Sequence, residues 1–238
     1  MNIAIIGYGK MGKAIEAIAV GRGHTIVLKI DETNTHEFNA ENLARADVAI
    51  EFTGPHSAFD NIIKLLQHHV PVVSGSTGWT ERMPEITALV KETNGSFVYA
   101  SNFSVGVNIF FELNKKLAAL MAPHKSYQVA LEETHHTQKK DAPSGTAITL
   151  AEGVMESLTS KKQWVNENSS NEEDLVIISK REDPAPGTHN IRYTSAIDDI
   201  EIIHTAHNRE GFATGAVIAA EFVQDKKGIF GMKEVLGL

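Results

Sequence analysis

The chain has 238 residues, 42% of them hydrophobic and 22% charged, and carries a formal net charge of −8. That length exceeds one average domain and falls short of three, and the composition is that of an ordinary globular protein. The acidic balance speaks against a nucleic-acid or basic membrane-surface role, and the absence of cysteine excludes disulfides, thiolate metal sites and a cysteine nucleophile.

Met1 runs directly into a strand over Asn2–Ile6, without the basic region and longer apolar core of a signal peptide. No apolar run approaches bilayer length, so a cytoplasmic protein with no membrane partner is expected. Strands are predicted next at Thr25–Ile30, Val48–Glu51, Val70–Ser74 and Phe97–Ala100. Helical spacing covers Met11–Arg22, His56–His69 and Glu81–Thr93 between them. Such alternation predicts an α/β fold: a Rossmann-type, doubly wound parallel sheet wrapped by helices.

Gly7-Tyr8-Gly9-Lys10-Met11-Gly12 matches G-x-G-x-x-G between the first strand and first helix, as a dinucleotide site requires. Gly7 permits the tight turn, Gly9 lets a pyrophosphate approach the backbone, and Gly12 allows close helix–strand contact. Asp31 ends the second strand about 20 residues on, where a carboxylate accepts ribose hydroxyls. Asp31 and Glu32 both repel a 2′-phosphate, and only Lys29 offsets them, so NADH is favoured and NADPH remains open. Gly75-Ser76-Thr77 and Ala100-Ser101-Asn102-Phe103 fall at carboxyl ends of predicted strands. Taken alone each could be an ordinary turn, but their position on the sheet reads as nicotinamide-side cofactor contact.

After Asn102 the rhythm changes. Val105–Met121 is predicted as one helix, with Phe110, Leu113, Leu117 and Leu120 at helical intervals. A strand at Tyr127–Glu132, a loop and a helix over about Ser144–Leu158 follow. Asn166–Asp174 is a polar loop, strands return at Leu175–Ser179, Asn190–Tyr193 and Ile200–Thr205, and a small-residue helix spans Phe212–Val223. Two domains are expected: a dinucleotide-binding one at 1–103 and a mixed α+β one at 104–212 for substrate and oligomerisation. The last segment, 213–238, packs back on the first.

The loop is the densest cluster of cationic or protonatable groups in the chain. Ser144 is a candidate N-cap, with Pro143 fixing the entry of the chain and Gly145 leaving room for a ligand. Gly145 and Thr146 amides at a helix start, the Thr146 hydroxyl, and the Lys139 ammonium suit a carboxylate. His135 or His136 exchanges a proton near neutral pH. Their adjacency sends them to opposite sides of a strand and no metal-ligand spacing accompanies them, so no metal is expected. His24, His36, His56, His68, His69 and His124 are expected to be structural or exposed.

The stretch Glu133 to Ala147 (Glu-Thr-His-His-Thr-Gln-Lys-Lys-Asp-Ala-Pro-Ser-Gly-Thr-Ala) closely resembles the signature of the dihydrodipicolinate reductase family. Gly7–Gly12, Phe52-Thr53, Gly75–Thr77, Ala100–Asn108 and Phe212–Ala216 resemble further family segments, so the resemblance covers nearly the whole chain. It implies NAD(P)H-dependent reduction of a cyclic dicarboxylate in diaminopimelate and lysine synthesis, in a homotetramer with a hinge near Phe103. On that pattern His135 donates or accepts the proton, Lys139 donates one, and His136, Ser144, Gly145 and Thr146 hold the substrate carboxylates. Three departures stand out: Thr137 and Gln138 replace more basic residues, Glu32 stands where some relatives have arginine, and a shorter arm ends in Pro186-Gly-Thr-His189 instead of Gly-Glu-His. Other two-domain imine or amino-acid dehydrogenases share the glycine loop but not the paired histidines. A non-catalytic NADH sensor would need neither His135 nor Lys139.

Overall fold

The computed structural model describes residues 1–208 and 210–238. Two compact units divide it: Met1–Val105 with Glu210–Leu238, and Gly106–Arg209.

In the first unit, β1 (Asn2–Ile6), β2 (Thr25–Ile30), β3 (Val48–Glu51), β4 (Val72–Ser74), β5 (Ser96–Tyr99) and β11 (Gly228–Phe230) form one sheet, ordered β11-β5-β4-β3-β1-β2. Every pairing is parallel. Alternate side chains of each strand serve opposite layers. Ile3 and Ile5 pack with Ile15 and Ala19 of α1 (Lys10–Gly21) and with Ala216 and Ala220 of α7 (Glu210–Val223). Ala4 and Ile6 pack with Leu43 of α2 (Ala40–Leu43), Ile62 and Leu65 of α3 (Ala58–Gln67) and Ile86 of α4 (Met83–Glu92). With both faces covered, the strands read as continuous apolar runs. α7 is buried along its small residues because backbones touch there: a Cβ on Gly215 would lie 1.7 Å from the Phe103 carbonyl oxygen. β4 starts two residues later than expected, because the Val70 amide closes the end of α3 by donating to the Leu65 carbonyl.

The second unit holds a mixed five-stranded sheet, ordered β10-β9-β6-β8-β7. Its strands are β6 (Gln128–His135), β7 (Gln163–Val165), β8 (Asp174–Arg181), β9 (Thr188–Thr194) and β10 (Asp199–Thr205). β9 runs antiparallel to β6 and β10, while β8 runs parallel to β6 and β7. α5 (Val105–Met121) and α6 (Gly145–Met155) cover one face, burying Phe110, Ala118, Leu150 and Val154 against Leu131, Ile177 and Tyr193.

Two expectations are corrected here. The buried stripe of α5 is Val107, Phe110, Asn114, Ala118 and Met121, whereas Leu113 and Leu120 are exposed. A polar residue sits in that stripe because the Asn114 amide donates to the Leu150 carbonyl at 2.9 Å and ties α5 to α6. Likewise β6 does not end at Glu132. The alternation of buried Val129 and Leu131 continues through buried Glu133 and His135. Hydropathy loses the strand where its inward side chains turn polar. β7, β11, α2 and a final helix, α8 (Met232–Leu236), were not anticipated.

Candidate active site

Each unit carries a cluster of polar groups of its own. In the first, β1 lies between β2 and β3, so its carboxyl end is a switch point of the sheet. A cleft of about 870 Å³ opens there, lined by Gly7, Tyr8, Gly9, Asp31, Thr53 and Asn61 among others. Gly7 has φ +99°, and a Cβ on it would lie 2.0 Å from the Phe52 carbonyl oxygen. A Cβ on Gly12 would lie 2.5 Å from the Gly7 carbonyl oxygen, whereas nothing stands within 4 Å of one on Gly9. The loop is therefore tight where the chain turns and open where a diphosphate would approach. Lys10, Met11 and Gly12 begin α1 behind that opening.

Asp31 is exposed, and its Oδ1 accepts from the Thr33 amide at 2.7 Å and the Thr33 hydroxyl at 2.6 Å. These bonds, the hydroxyl's first, hold the carboxyl below its ordinary value, so it stands as an anion at the rim. Lys29 turns away from it: Nζ is 3.0 Å from Glu16 Oε1 and 5.0 Å above the Tyr8 ring. Residues of the loop after β3 also line the cleft, including Pro55 and His56; the latter was expected at the start of a helix, which instead begins at Ala58. Their position at a strand's carboxyl end was the available signal.

Gly75, Ser76, Thr77 and Ala100–Phe103 do not line this cleft. The Phe52 ring lies on Gly75, where a Cβ would come within 2.2 Å of it, and Phe52 meets Phe103 at 5.7 Å between centroids. Ser76 is buried and its hydroxyl donates to Glu51 Oε1 at 2.8 Å, so it builds the loop. Thr77 and Ser101 are exposed, and Asn102 Oδ1 accepts from the Ser104 amide at 2.9 Å. Glu51, unassigned by sequence, is fully buried and also accepts from Ser74 Oγ at 2.6 Å and the Thr53 amide at 2.9 Å.

In the second unit the motif gathers around the carboxyl end of β6. His135, the last residue of β6, is buried, and His136, the first residue beyond it, is half-buried. Lys139 Nζ lies 2.7 Å and 2.9 Å from the two carboxylate oxygens of Asp141. Thr137 anchors the loop: its hydroxyl donates to Asp183 Oδ2 at 2.6 Å. Ser144 caps α6, its Oγ accepting from the Ala147 amide at 3.2 Å. It is buried and its amide donates to Glu133, so it shapes the helix start instead of facing outward. Around Gly145 a Cβ would meet nothing within 4 Å, and Thr146 is half-buried in the same first turn.

Two members of this centre had no role in the sequence analysis. Glu133 is 1% exposed and its Oε1 accepts from Ser179 Oγ at 2.8 Å, the Ser144 amide at 3.0 Å and Arg181 Nη2 at 3.2 Å. Burial alone would raise its carboxyl. The His135 ring close to Oε2, with hydrogen bonds from Ser144 and Ser179 to Oε1, outweighs that and holds it well below the usual carboxylate range. His189 enters from β9, opposite Glu133 in register. Glu133, His135 and His189 each present a ligand atom within 4.8 Å of the others, a grouping a metal could use. Ligand spacing along the sequence did not show it, because the third member comes from a neighbouring strand.

Burial, with the neighbouring His135 charge next, pushes the His189 imidazole down to about 4. The unfolded chain protonates this group near pH 6.5 and the native chain only near 4, so the unfolded state binds more protons between those values. Stability should therefore fall by about 3 kcal/mol as pH drops through that window. Glu133, held low, withdraws its own contribution only below the ordinary carboxylate range. Urea unfolding at both ends of the window should show the loss, and His189→Asn should flatten it. A slope unchanged in the variant would remove His189 as its source.

A Rossmann-type unit and a mixed sheet bearing imidazoles and a lysine at a helix start, in one chain, are the build of two-domain nicotinamide-dependent oxidoreductases. Sequence narrows that class. Profiles described as dihydrodipicolinate reductase, N-terminus, and dihydrodipicolinate reductase, C-terminus, match residues 1–103 and 106–236. The chain belongs to the dihydrodipicolinate reductase family. A 4-hydroxy-tetrahydrodipicolinate reductase of Christiangramia forsetii is 50% identical over 237 residues, 99% of this chain and 98% of that one. One from Methanocaldococcus jannaschii is 34% identical over 201 residues, 82% of this chain and 72% of that one. Among solved structures, a dipicolinate-bound dihydrodipicolinate reductase from Paenisporosarcina sp. TG-14 superimposes with a TM-score of 0.78 at 26% identity, covering 98% of each chain.

Proposed function

We propose that this chain reduces 4-hydroxy-tetrahydrodipicolinate to tetrahydrodipicolinate with NAD(P)H, in diaminopimelate and lysine synthesis. The observation that carries this is the meeting of His135, His136, Lys139 and the open first turn of α6 around one strand end, in a chain of net charge −8. A dianion in an acidic chain needs donors close at hand, and Lys139 with the amides of the α6 start would supply them at contact distance.

Gly145 and Thr146 at the α6 start, with His136, hold the substrate carboxylates, and Ser144 sets the geometry of that turn. Lys139 is poised by Asp141, exchanging this partner for a substrate carboxylate and giving a proton during turnover. His135 exchanges the other proton. The glycine loop, open at Gly9 and tight at Gly12, fits a dinucleotide diphosphate, and Asp31 takes the ribose hydroxyls. When bound, the nicotinamide would supply the hydride, with its ring side reaching past the cleft toward the exposed Thr77 and Ser101, whose loops Ser76 and Asn102 shape. NADH is favoured over NADPH, because Asp31 is ionised beside Glu32 while Lys29 is spent on Glu16.

Among the described residues the helices of the second unit pack on one face of its sheet, and exposed Ala130 and Ile203 lie on the other. Burial of that face in a homotetramer follows naturally. Among the described residues no helix is long and apolar enough to cross a membrane, and the setting proposed is the cytoplasm.

Titration with dipicolinate, the planar dicarboxylate named with the Paenisporosarcina relative, tests the substrate class. Wild type should bind it, and Lys139→Ala should weaken binding roughly tenfold or more, as loss of a charge-assisted hydrogen bond does. Tight NADH binding with no affinity for dipicolinate would instead favour a sensor.

A further inference from the structure

The short arm Pro186-Gly187-Thr188-His189 takes no part in the roles above, yet it closes around His135. The His189 ring meets the His135 ring edge-on, with centroids 5.2 Å apart and planes at 73°. Its Nε2 lies 3.2 Å from Ser144 Oγ and 3.7 Å from Glu133 Oε2. Gly187 has φ +155°, and a Cβ there would come 3.0 Å from His135 Nε2. On the opposite edge, Glu133 Oε2 is 3.3 Å from His135 Nδ1. Glu133 and His135 are two apart on one strand, so both side chains point to the same face.

The carboxylate cannot turn freely, because three donors fix Oε1 and leave Oε2 directed at the imidazoles. Oε2 and His135 Nδ1 are both buried without a hydrogen-bond partner, within ion-pair distance but out of hydrogen-bond alignment. Two such orphans side by side are costly, and a small ring rotation that sets a proton between them satisfies both. The other charged or titratable groups near His135 do not compete for that proton. Arg181, its partner in register on β8, is engaged with Glu133 Oε1 and the Asp141 carbonyl. Lys139 holds Asp141, and His189 Nε2 sits nearer Ser144 Oγ, at 3.2 Å, than Glu133 Oε2, at 3.7 Å.

We propose that Glu133 is a positioning residue that accepts the Nδ1 proton of His135, so that Nε2, on the edge relieved by Gly187, is the nitrogen that exchanges a proton with substrate. Glu133 keeps its charge and gives up no proton. This rests on His135 being the proton-transferring group, as in the preceding section. It has the logic by which a carboxylate fixes the tautomer of a catalytic histidine in other enzymes. Glycine at 187 is required twice over, by its φ and by the contact with the ring.

Glu133→Gln gives a sharp test. The three donors around Oε1 demand the amide oxygen there, which turns the amide NH₂ toward Nδ1 and inverts the demand on the ring. Nitrogen-15 correlation spectra of the His135 imidazole, recorded where it is neutral, should show Nδ1–H in wild type and Nε2–H in Glu133→Gln. In the coupled turnover assay kcat should fall roughly 10²-fold while the KM for NADH stays within about twofold. Glu133→Asp, which keeps the charge, should restore part of the loss. Wild-type His135 with its proton on Nε2 would overturn the proposal even if Glu133→Gln failed to fold. So would an unchanged kcat in a folded Glu133→Gln, or a wild-type spectrum altered by a chelator, since a metal would then organise the trio. The expected tautomers in a wild type without turnover would support the pairing and count against the reaction assigned above.

Discussion

His135→Ala should lower kcat by roughly 10²- to 10⁴-fold, the usual worth of a positioned general acid or base. NADH affinity should stay within a few-fold, because His135 and the neighbours named above, Glu133, Arg181, Gly187 and His189, belong to the second unit while the glycine loop and Asp31 belong to the first. The split between kcat and cofactor binding is therefore the diagnostic reading. A general loss of structure would lower both. Truncation leaves a cavity beside Glu133, so circular dichroism and the cofactor titration must first show an intact fold. Wild-type turnover in a folded His135→Ala would remove the residue from the chemistry and, with it, the role given to Glu133.

Gly7→Ala should weaken NADH binding by about 100-fold or more. The new Cβ would demand a φ of +99° from an L-residue and would sit 2.0 Å from the Phe52 carbonyl oxygen. Left-handed strain costs about 1–3 kcal/mol and overpacking costs about as much again. Since 1.4 kcal/mol is tenfold in affinity, roughly 3 kcal/mol taken from the bound geometry gives the stated loss. Phe52 ends in the ring that lies over Gly75 and meets Phe103, so displacing it also disturbs the loops after β4 and β5. Gly9→Ala, where a Cβ meets nothing within 4 Å, is the control: it leaves the empty loop in place and acts only by standing in the ligand's path. Titration of all three proteins with NADH checks this. Unchanged affinity in Gly7→Ala would mean that the loop does not form the site.

Much of the first unit was legible in the sequence, because parallel strands buried on both faces leave unbroken apolar runs and a fixed glycine pattern. β1, β2 and β3 were placed to the residue. In the second unit hydropathy failed at the chemistry. The end of β6 was lost because Glu133 and His135 occupy inward positions, and of the apolar repeat on α5 Phe110 and Leu117 reach the core while Leu113 and Leu120 do not, the polar Asn114 taking a buried place instead. The loop from His135 to Thr146 could be found from its residue types. The inward pair Glu133 and His189 could not, since their meeting depends on the antiparallel register of β9 with β6, which no local pattern encodes. Ser76 and Ser144 were read as ligand contacts, but their hydroxyls turn inward to build the loop after β4 and the start of α6.

The central claim is turnover on one dicarboxylate through the His135–Thr146 segment. The most direct measurement mixes the protein with a dihydrodipicolinate synthase, pyruvate, aspartate semialdehyde and NADH and follows the nicotinamide absorbance. Oxidation that requires the synthase and both its substrates, and that collapses in Lys139→Ala, is the expected result. Tight cofactor binding with no oxidation of either NADH or NADPH would contradict it.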